Sequence, residues 1–254
     1  MSKPGDPGLG PKRRTLVTGG TRGIGAAIAH RLARAGHDLV LGFAHDDAAA
    51  ELAAADVEAA GSECRLVQTD LLEPDAVDTL FEAAGSLTGV VNNAGATFHL
   101  GTLAETPVEV IRRTIDLNLT SAILVARAAV HALSTTYDGR GGVIVNISSG
   151  AATKGSPGEY VHYAAAKAGI DALTLGLAEE VADQGIRVVG VAPGLIRTGI
   201  HAAAGEPGRV ERMAPLIPMQ RAGEPGEVAD AVAWLMSDEA SYVTGTTLRV
   251  AGGR

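Results

Sequence analysis

The chain carries one cysteine, Cys64, among 254 residues. One thiol excludes an intrachain disulfide and any cysteine-rich zinc site. Aromatic residues make up 3% of the chain while 46% is hydrophobic, so Ala, Val, Leu and 33 glycines must do the packing. That composition suits helices lying close against a parallel sheet. Basic charge is also short: 21 Lys and Arg stand against 29 Asp and Glu, a net charge of −8. There is no Lys/Arg tract of the kind nucleic-acid binding needs, and Lys12-Arg13-Arg14 reads as a solvated lead-in to the first strand. No run of about 18 uninterrupted apolar residues exists, so no membrane-spanning helix is expected. The opening MSKPGDPGLGPKRR lacks an apolar h-region, and its Pro and Gly predict a flexible leader over 1–12, not a signal peptide. No histidine–carboxylate spacing argues for a metal. Together the absences predict a soluble cytoplasmic protein that binds neither nucleic acid nor membrane.

What is present is alternation. Strand-like apolar runs at 14–20, 38–44, 64–70, 89–95, 141–149 and 186–194, with a last one in TTLRVAGG, are separated by helical patterns. The helices are expected at 23–36, up to about Gly61, over EPDAVDTLFEAAG with Pro74 in its first turn, at about 107–133, at 160–183 and at 225–236. No internal repeat or interdomain linker interrupts the series. The pattern predicts one α/β domain over 13–254, a doubly wound, Rossmann-type parallel sheet of about seven strands flanked by helices on both faces. The Gly/Pro-punctuated stretch 194–224 is the one long irregular insertion and reads as a lid over a site, with a mobile surface loop as the alternative.

TGGTRGIG (18–25) sits between the first strand and the first helix. Glycines there let the chain turn sharply and bring backbone N–H groups and a helix N-terminus against a pyrophosphate. The spacing Gly19-xxx-Gly23-x-Gly25 is neither G-x-G-x-x-G nor a P-loop. NAD-preferring sites put an acid at the end of the second strand; here LGFAHDD places Phe43 there. Arg22 and His45 are instead the cations that a ribose 2′-phosphate would meet, and Asp46 and Asp47 count against this unless they cap the next helix. NADP(H) is the favoured cofactor, with NAD(H) the alternative.

SPGEYVHYAAAKAGI (156–170) sets Tyr163 and Lys167 four residues apart, on one face of a helix. A snorkelling lysine on a half-exposed helix is one reading, a proton-transfer pair the other. An ammonium about 4 Å from a phenol, at an effective dielectric of about 20, contributes about 4 kcal/mol. That lowers the usual phenol pKa of about 10 by as much as about three units before desolvation opposes it.

These features together resemble the short-chain dehydrogenase/reductase family in its short single-domain form. The landmarks are Thr18-Gly19-xxx-Gly23-Ile24-Gly25, Asp70, NNAG (92–95), Leu117-Asn118, NISS (146–149), Tyr163-xxx-Lys167, PGLIRT (193–198) and the carboxyl-terminal GEPGEVADAVAWLMSDEASYVTGTTLRVAGG. They run in order from about 13 to 253. The resemblance implies a catalytic tetrad of Asn118, Ser149, Tyr163 and Lys167, with Ser149 preferred over Ser148. It further implies that Gly19, Thr21, Arg22, Gly23, Ile24 and Gly25 hold the cofactor, as do His45, Asp70, Leu71, Asn92, Ala94, Gly95, Pro193, Gly194, Ile196 and Thr198. Tyr163 and Lys167 join them. The spacing from Ser149 to Tyr163 is one residue longer than usual, which places an extra loop residue in GSPGEY. Gly190 stands where many members carry Asn.

The chemistry implied is hydride exchange between a nicotinamide and a ketone or secondary alcohol. Tyr163 is the general acid/base, Ser149 a second donor to the substrate oxygen, Lys167 the holder of the ribose hydroxyls, and Asn118 positions a water. Taken singly, each side chain fits a structural role: a local bond for Asn118, a strand-end cap for Ser149, a helix N-cap for Thr198. Tyr160, two turns from Lys167, lies too far along the axis to share its proton site. His162 points about 100° from Tyr163, and His201 lies in the expected lid. A non-catalytic nucleotide-sensing or scaffold protein on the same fold is the reading of another class. A homo-oligomer, dimer or tetramer, is implied through the helices at 107–133 and 160–183 and the final strand. The sequence names no substrate.

Overall fold

The computed structural model describes residues 13–254, so the leader expected over 1–12 lies outside the described residues. Seven strands form one sheet: β1 (Arg13–Thr18), β2 (His37–Phe43), β3 (Cys64–Gln68), β4 (Gly89–Asn92), β5 (Gly142–Ile147), β6 (Ile186–Pro193) and β7 (Thr247–Val250). Their order is β3-β2-β1-β4-β5-β6-β7 and every pairing is parallel. The winding reverses between β1 and β4, and a crevice opens at the carboxyl ends of strands at such a point.

Consecutive strand residues point to opposite faces, and the core divides accordingly. Val17, Leu41, Val145 and Val189 pack with Ile28 and Leu32 of α1 (Gly23–Ala33), Val57 of α2 (Asp47–Ala59) and Val228 and Val232 of a carboxyl-terminal helix. Their neighbours Leu16, Val40, Ile144 and Val188 turn the other way. They meet Leu80 of α3 (Ala76–Ala84), Val125 and Leu133 from the helical run 108–133, and Val181. Each such Val or Leu contributes about 2 kcal/mol by leaving water. Alanines on the helix faces (Ala29, Ala33, Ala229, Ala233) allow the close approach that the scarcity of aromatics requires.

Three elements differ from expectation. Pro74 lies before α3 and not in its first turn, because Asp75 is the N-cap residue. The helix expected at about 107–133 is α4 (Val108–Ile115) and α5 (Ser121–Leu133) joined by a five-residue π-turn, Asp116–Thr120. By length and composition the run Val108–Leu133 is apolar enough to cross a membrane, which the search for uninterrupted apolar stretches missed. In the fold α4 packs on the long helix Val161–Val181 and α5 on α3. The connection after β6 holds short helices: α8 (Ile200–Ala203), α9 (Arg209–Met213) and a 3-10 turn (Ala214–Leu216). It ends at α10 (Pro225–Leu235), which is closed by a reciprocal Glu224/Glu227 capping box. A single turn, α6 (Ala151–Lys154), precedes the long α7 (Val161–Val181). Cys64 opens edge strand β3 half-buried, and burial with the nearby Glu58 carboxylate pushes its thiol up to about 11.

Candidate active site

The glycine turn is shaped by backbone. Gly19 and Gly23 take positive φ of 60° and 51°, a region costly for side chains. A Cβ on Gly25 would lie 2.0 Å from the Gly19 carbonyl oxygen, so the first turn of α1 can approach β1 only as glycine. Arg22, the extended N-cap residue of α1, makes no side-chain cap, which leaves that helix end to face a ligand. Asn93 ties the turn to β4: its Nδ2 donates to the carbonyls of Thr18 (2.9 Å) and Gly19 (3.0 Å). Thr18 Oγ1 accepts from the N–H groups of Asn93 (2.9 Å) and Ala94 (3.0 Å). A Cβ on Gly95 would stand 2.6 Å from Asn118 Oδ1 and 3.4 Å from Lys167 Nζ, filling the space over the lysine. This open cradle fits a dinucleotide.

Asn92 is a correction. Its side chain is buried and donates to the Ala122 carbonyl (2.8 Å) and Asn146 Oδ1 (3.2 Å), not toward the crevice. Its neighbour Asn93 is the one that shapes the site; the second Asn of NNAG was the available signal. Ile196 is likewise buried in the core, where its side chain packs with α10, leaving only its main chain to the crevice. Pro193 ends β6. Gly194 donates to the Val250 carbonyl at 2.9 Å and has no room for a Cβ beside Ala251.

At the end of β2 the two expected cations are each held by a carboxylate. Arg22 Nη1 lies 3.3 Å from Asp46 Oδ2, and His45 Nε2 lies 3.4 Å from Asp70 Oδ2. Asp46 also caps α2 by accepting from Ala49 N (3.1 Å), and Asp70 accepts from Leu72 N (3.1 Å), which fixes the turn around Leu71. Arg22 and His45 are exposed, and exposed pairs of this kind are worth about 0–1 kcal/mol, little against an arriving phosphate.

Tyr163 and Lys167 are both buried and share one face of α7. Lys167 Nζ is 5.8 Å from the phenol ring centroid and donates to the Ile147 carbonyl at 2.8 Å. The Ser149 hydroxyl faces the Tyr163 phenol and accepts from Ala151 N (3.1 Å). Ser148 is buried and donates to the Lys167 carbonyl at 3.3 Å; of the serine pair, only Ser149 meets the phenol. Asn118 sits in the π-turn, fully buried. Its Nδ2 donates to the carbonyls of Ala96 (2.7 Å) and Thr114 (2.9 Å), and its Oδ1 accepts from Ala96 N (3.2 Å).

The electrostatics overturn one expectation. Burial pushes the Tyr163 phenol above its ordinary range, and the Ser149 hydrogen bond opposes only part of that. Burial also lowers Lys167 to about 8, with Asp171 pulling the other way. Desolvation acts on both partners and penalises each charge, and one of the three lysine N–H donors goes to the Ile147 carbonyl. In the chain alone Tyr163 is a protonated acid. Two O–H donors, Tyr163 and Ser149, therefore converge on one place.

Opposite the cradle lie three segments. Phe98 takes a positive φ of 58°, His99 N reaches back to the Thr97 carbonyl (2.7 Å), and Arg113 stacks over the Phe98 ring at 4.4 Å. In GSPGEY, Gly155, Ser156 and Gly158 all have positive φ, so the extra residue is taken up in a tight turn. Tyr160 meets the Tyr163 ring edge-on, centroids 5.5 Å apart, a contact the sequence reading missed. From the β6–α10 connection, Thr198 Oγ1 accepts from Ile200 N at 3.5 Å, and its methyl lies 3.5 Å from where a Gly23 Cβ would be. His201 has its pKa lowered by burial, with Arg209 acting in the same sense. Among the described residues, the buried side-chain polar atoms without a hydrogen-bond partner are Thr97 Oγ1, both ring nitrogens of His162, and Arg209 Nε.

A protein-family model described as enoyl-(acyl carrier protein) reductase matches residues 19–254. The chain is 46% identical over 243 residues to the uncharacterized oxidoreductase YgfF of Escherichia coli (strain K12), covering 94% of this chain and 98% of that protein. A short chain dehydrogenase from Burkholderia cenocepacia J2315, solved in complex with NADP, superposes with a TM-score of 0.86 at 34% identity, covering 95% of this chain and 97% of that one. The 3-ketoacyl-(acyl-carrier-protein) reductase from Brucella melitensis, complexed with NADH, gives 0.87 at 30% identity, covering 95% and 98%. Neither the family model nor these relatives lend support to a non-catalytic role.

Proposed function

Because the chain belongs to the short-chain dehydrogenase/reductase family, oxidoreductases of alcohol and carbonyl groups that use NAD(P)(H), we propose that it reduces a ketone with NADP(H) preferred and Tyr163 as the proton donor. The observation that carries this reading is the convergence of the Tyr163 and Ser149 hydroxyls beside the open glycine cradle. The nicotinamide, when bound, supplies the hydride. Tyr163 gives its proton to the substrate oxygen as that oxygen gains charge, and Ser149 donates a second hydrogen bond to it. Lys167 holds the nicotinamide ribose hydroxyls, and the glycine turn with the start of α1 holds the pyrophosphate. Asp70 and Leu71 flank the adenine. Arg22 and His45, released from Asp46 and Asp70, take the 2′-phosphate.

Reduction uses the protonated phenol, the form that burial favours, and alcohol oxidation runs the same path with the phenol deprotonated. Asn118 has its amide committed to Ala96 and Thr114, so a proton-resupplying water falls to its main-chain carbonyl. The π-turn, where Ser121 N reaches back to Asp116 O, loosens the main-chain ladder at that point. Residues 194–224 act as the lid. Exposed apolar side chains on α5 (Ile123, Leu124), α7 (Leu175), α10 (Trp234) and β7 (Leu248) support assembly of the chain with copies of itself through those elements.

The test is a panel of ketones and secondary alcohols run separately with NADPH and NADH, followed by nicotinamide absorbance. Absence of turnover with every ketone and alcohol of the panel, with NADPH and with NADH alike, would sink the reading. The pH profile checks the chemistry. Lys167 is cationic below about 8 and Tyr163 stays protonated there. Reductive kcat/KM is therefore flat through neutrality and falls above about pH 8, while alcohol oxidation, which needs the deprotonated phenol, rises with pH.

A further inference from the structure

Arg209 is 4% exposed, on a helix of one and a half turns in the middle of the expected lid. A cation is buried this deeply only when its fork is well paired. Its Nη2 donates to Glu159 Oε2 at 2.6 Å and to the Tyr160 hydroxyl at 3.1 Å; its Nη1 donates to Glu206 Oε2 at 3.0 Å. The guanidinium carbon lies 5.3 Å from the centre of the Tyr160 ring. Glu206 in turn accepts from Arg212 Nε at 2.8 Å, and its N–H donates to the His201 carbonyl at 2.9 Å, joining α8 to α9. On the other side the Glu159 carbonyl accepts from Gly101 N at 2.7 Å, which brings in the strained Phe98 loop. Two chain segments meet at this side chain, and a third joins them through the Glu159 main chain.

A buried ion pair of this kind adds little stability over an apolar packing of the same volume; what it supplies is a defined geometry. The geometry here bears on the phenol. Tyr160 packs with Ala151, Tyr163 and Ala164 in a small cluster of its own and holds the Tyr163 ring edge-on. We propose that Arg209 is a positioning residue: by fixing Tyr160 against Tyr163, it makes the orientation of the proton donor depend on the seating of Ile200–Met213. The inference rests on the reading of Tyr163 as that donor. With 194–224 as the lid, the latch ties the seating of that segment to alignment of the acid.

The test uses the full-length protein with NADPH and the best ketone of the panel. Arg209→Met lowers kcat on the order of 10- to 100-fold, since displacements of this size away from the reacting atoms have such effects, while the dissociation constant for NADPH in a fluorescence titration stays within about twofold. Arg209→Lys restores only part of kcat, because one ammonium cannot reach Glu159, Glu206 and Tyr160 together. Tyr160→Leu reproduces the loss, and adding it to Arg209→Met costs nothing further, since both break one chain of contacts. Unchanged kcat in Arg209→Met, or losses that multiply in the double variant, overturn the proposal. Should Arg209→Met fail to fold, Glu159→Gln with Tyr160→Leu gives the same cycle. Amide hydrogen exchange separates this inference from the functional reading: Arg209→Met must speed exchange in both 200–213 and 159–163. Coupled exchange in a wild-type protein that turns over no carbonyl or alcohol refutes the reading of Tyr163, and exchange confined to 200–213 refutes the latch.

Discussion

The two sides of the crevice are built by different means. On the cradle side, around β1, α1 and β4, backbone does the shaping: left-handed glycines, Cβ-free contacts, and an asparagine that answers two carbonyls. On the facing side, from Thr97 to His99, Ser156 to Tyr163 and Ile200 to Met213, side chains do it. There the buried polar atoms left without partners gather, and non-glycine residues such as Phe98 and Ser156 sit at positive φ. Strain and unmet hydrogen bonds mark places where a fold gives up stability for a task. Under the proposed function, the cradle is the side for the cofactor and the facing side the one for the substrate.

Five substitutions break or sharpen that contrast. The largest effect is expected from Tyr163→Phe, which removes the proton donor and lowers kcat by about 10³-fold while NADPH binding, measured by fluorescence titration, survives. Gly25→Ala should do the reverse: the methyl meets the Gly19 carbonyl oxygen, stability falls by about 2–3 kcal/mol as for other overpacked sites, and cofactor binding is lost with it. Denaturant unfolding and the same titration measure both. Next comes a matched pair. Asn93→Ala leaves two carbonyls unanswered and costs about 2 kcal/mol, whereas His162→Leu gives up no more than a marginal contact with the Thr97 main chain and costs less than about 1 kcal/mol. Equal losses in chemical unfolding would erase the distinction between the two sides. Arg22→Ala acts on the cofactor alone: it raises KM for NADPH about tenfold by deleting one charged contact and leaves KM for NADH in place.

The cradle was legible because periodicity and glycine placement are local. The alternation of runs gave all seven strands, with ends trimmed by one to three residues where turns begin. Motif order put Asn118, Ser149, Tyr163 and Lys167 forward as candidates, and the structure brings Ser149 and Lys167 near Tyr163. What was not legible depended on long-range packing. Whether Asn92 or Asn93 faces the crevice is set by which strand face α5 covers. The latch joins residues fifty apart, Glu159 and Arg209, with no shared pattern. The phenol pKa went the wrong way on paper because a pairwise estimate has no measure of how much water the fold removes from both partners. Gly190, without explanation in the sequence, is now accounted for: a Cβ there would come within 2.5 Å of Thr247 Oγ1 on β7.

The lone thiol is a slow nucleophile. Cys64 stands at the rim of the sheet, on the strand with one open side, and burial with the Glu58 carboxylate pushes it up to about 11, so alkylating reagents at neutral pH meet little thiolate there. Any second cysteine placed by design elsewhere on the surface can be tagged quickly, ahead of the slow native one.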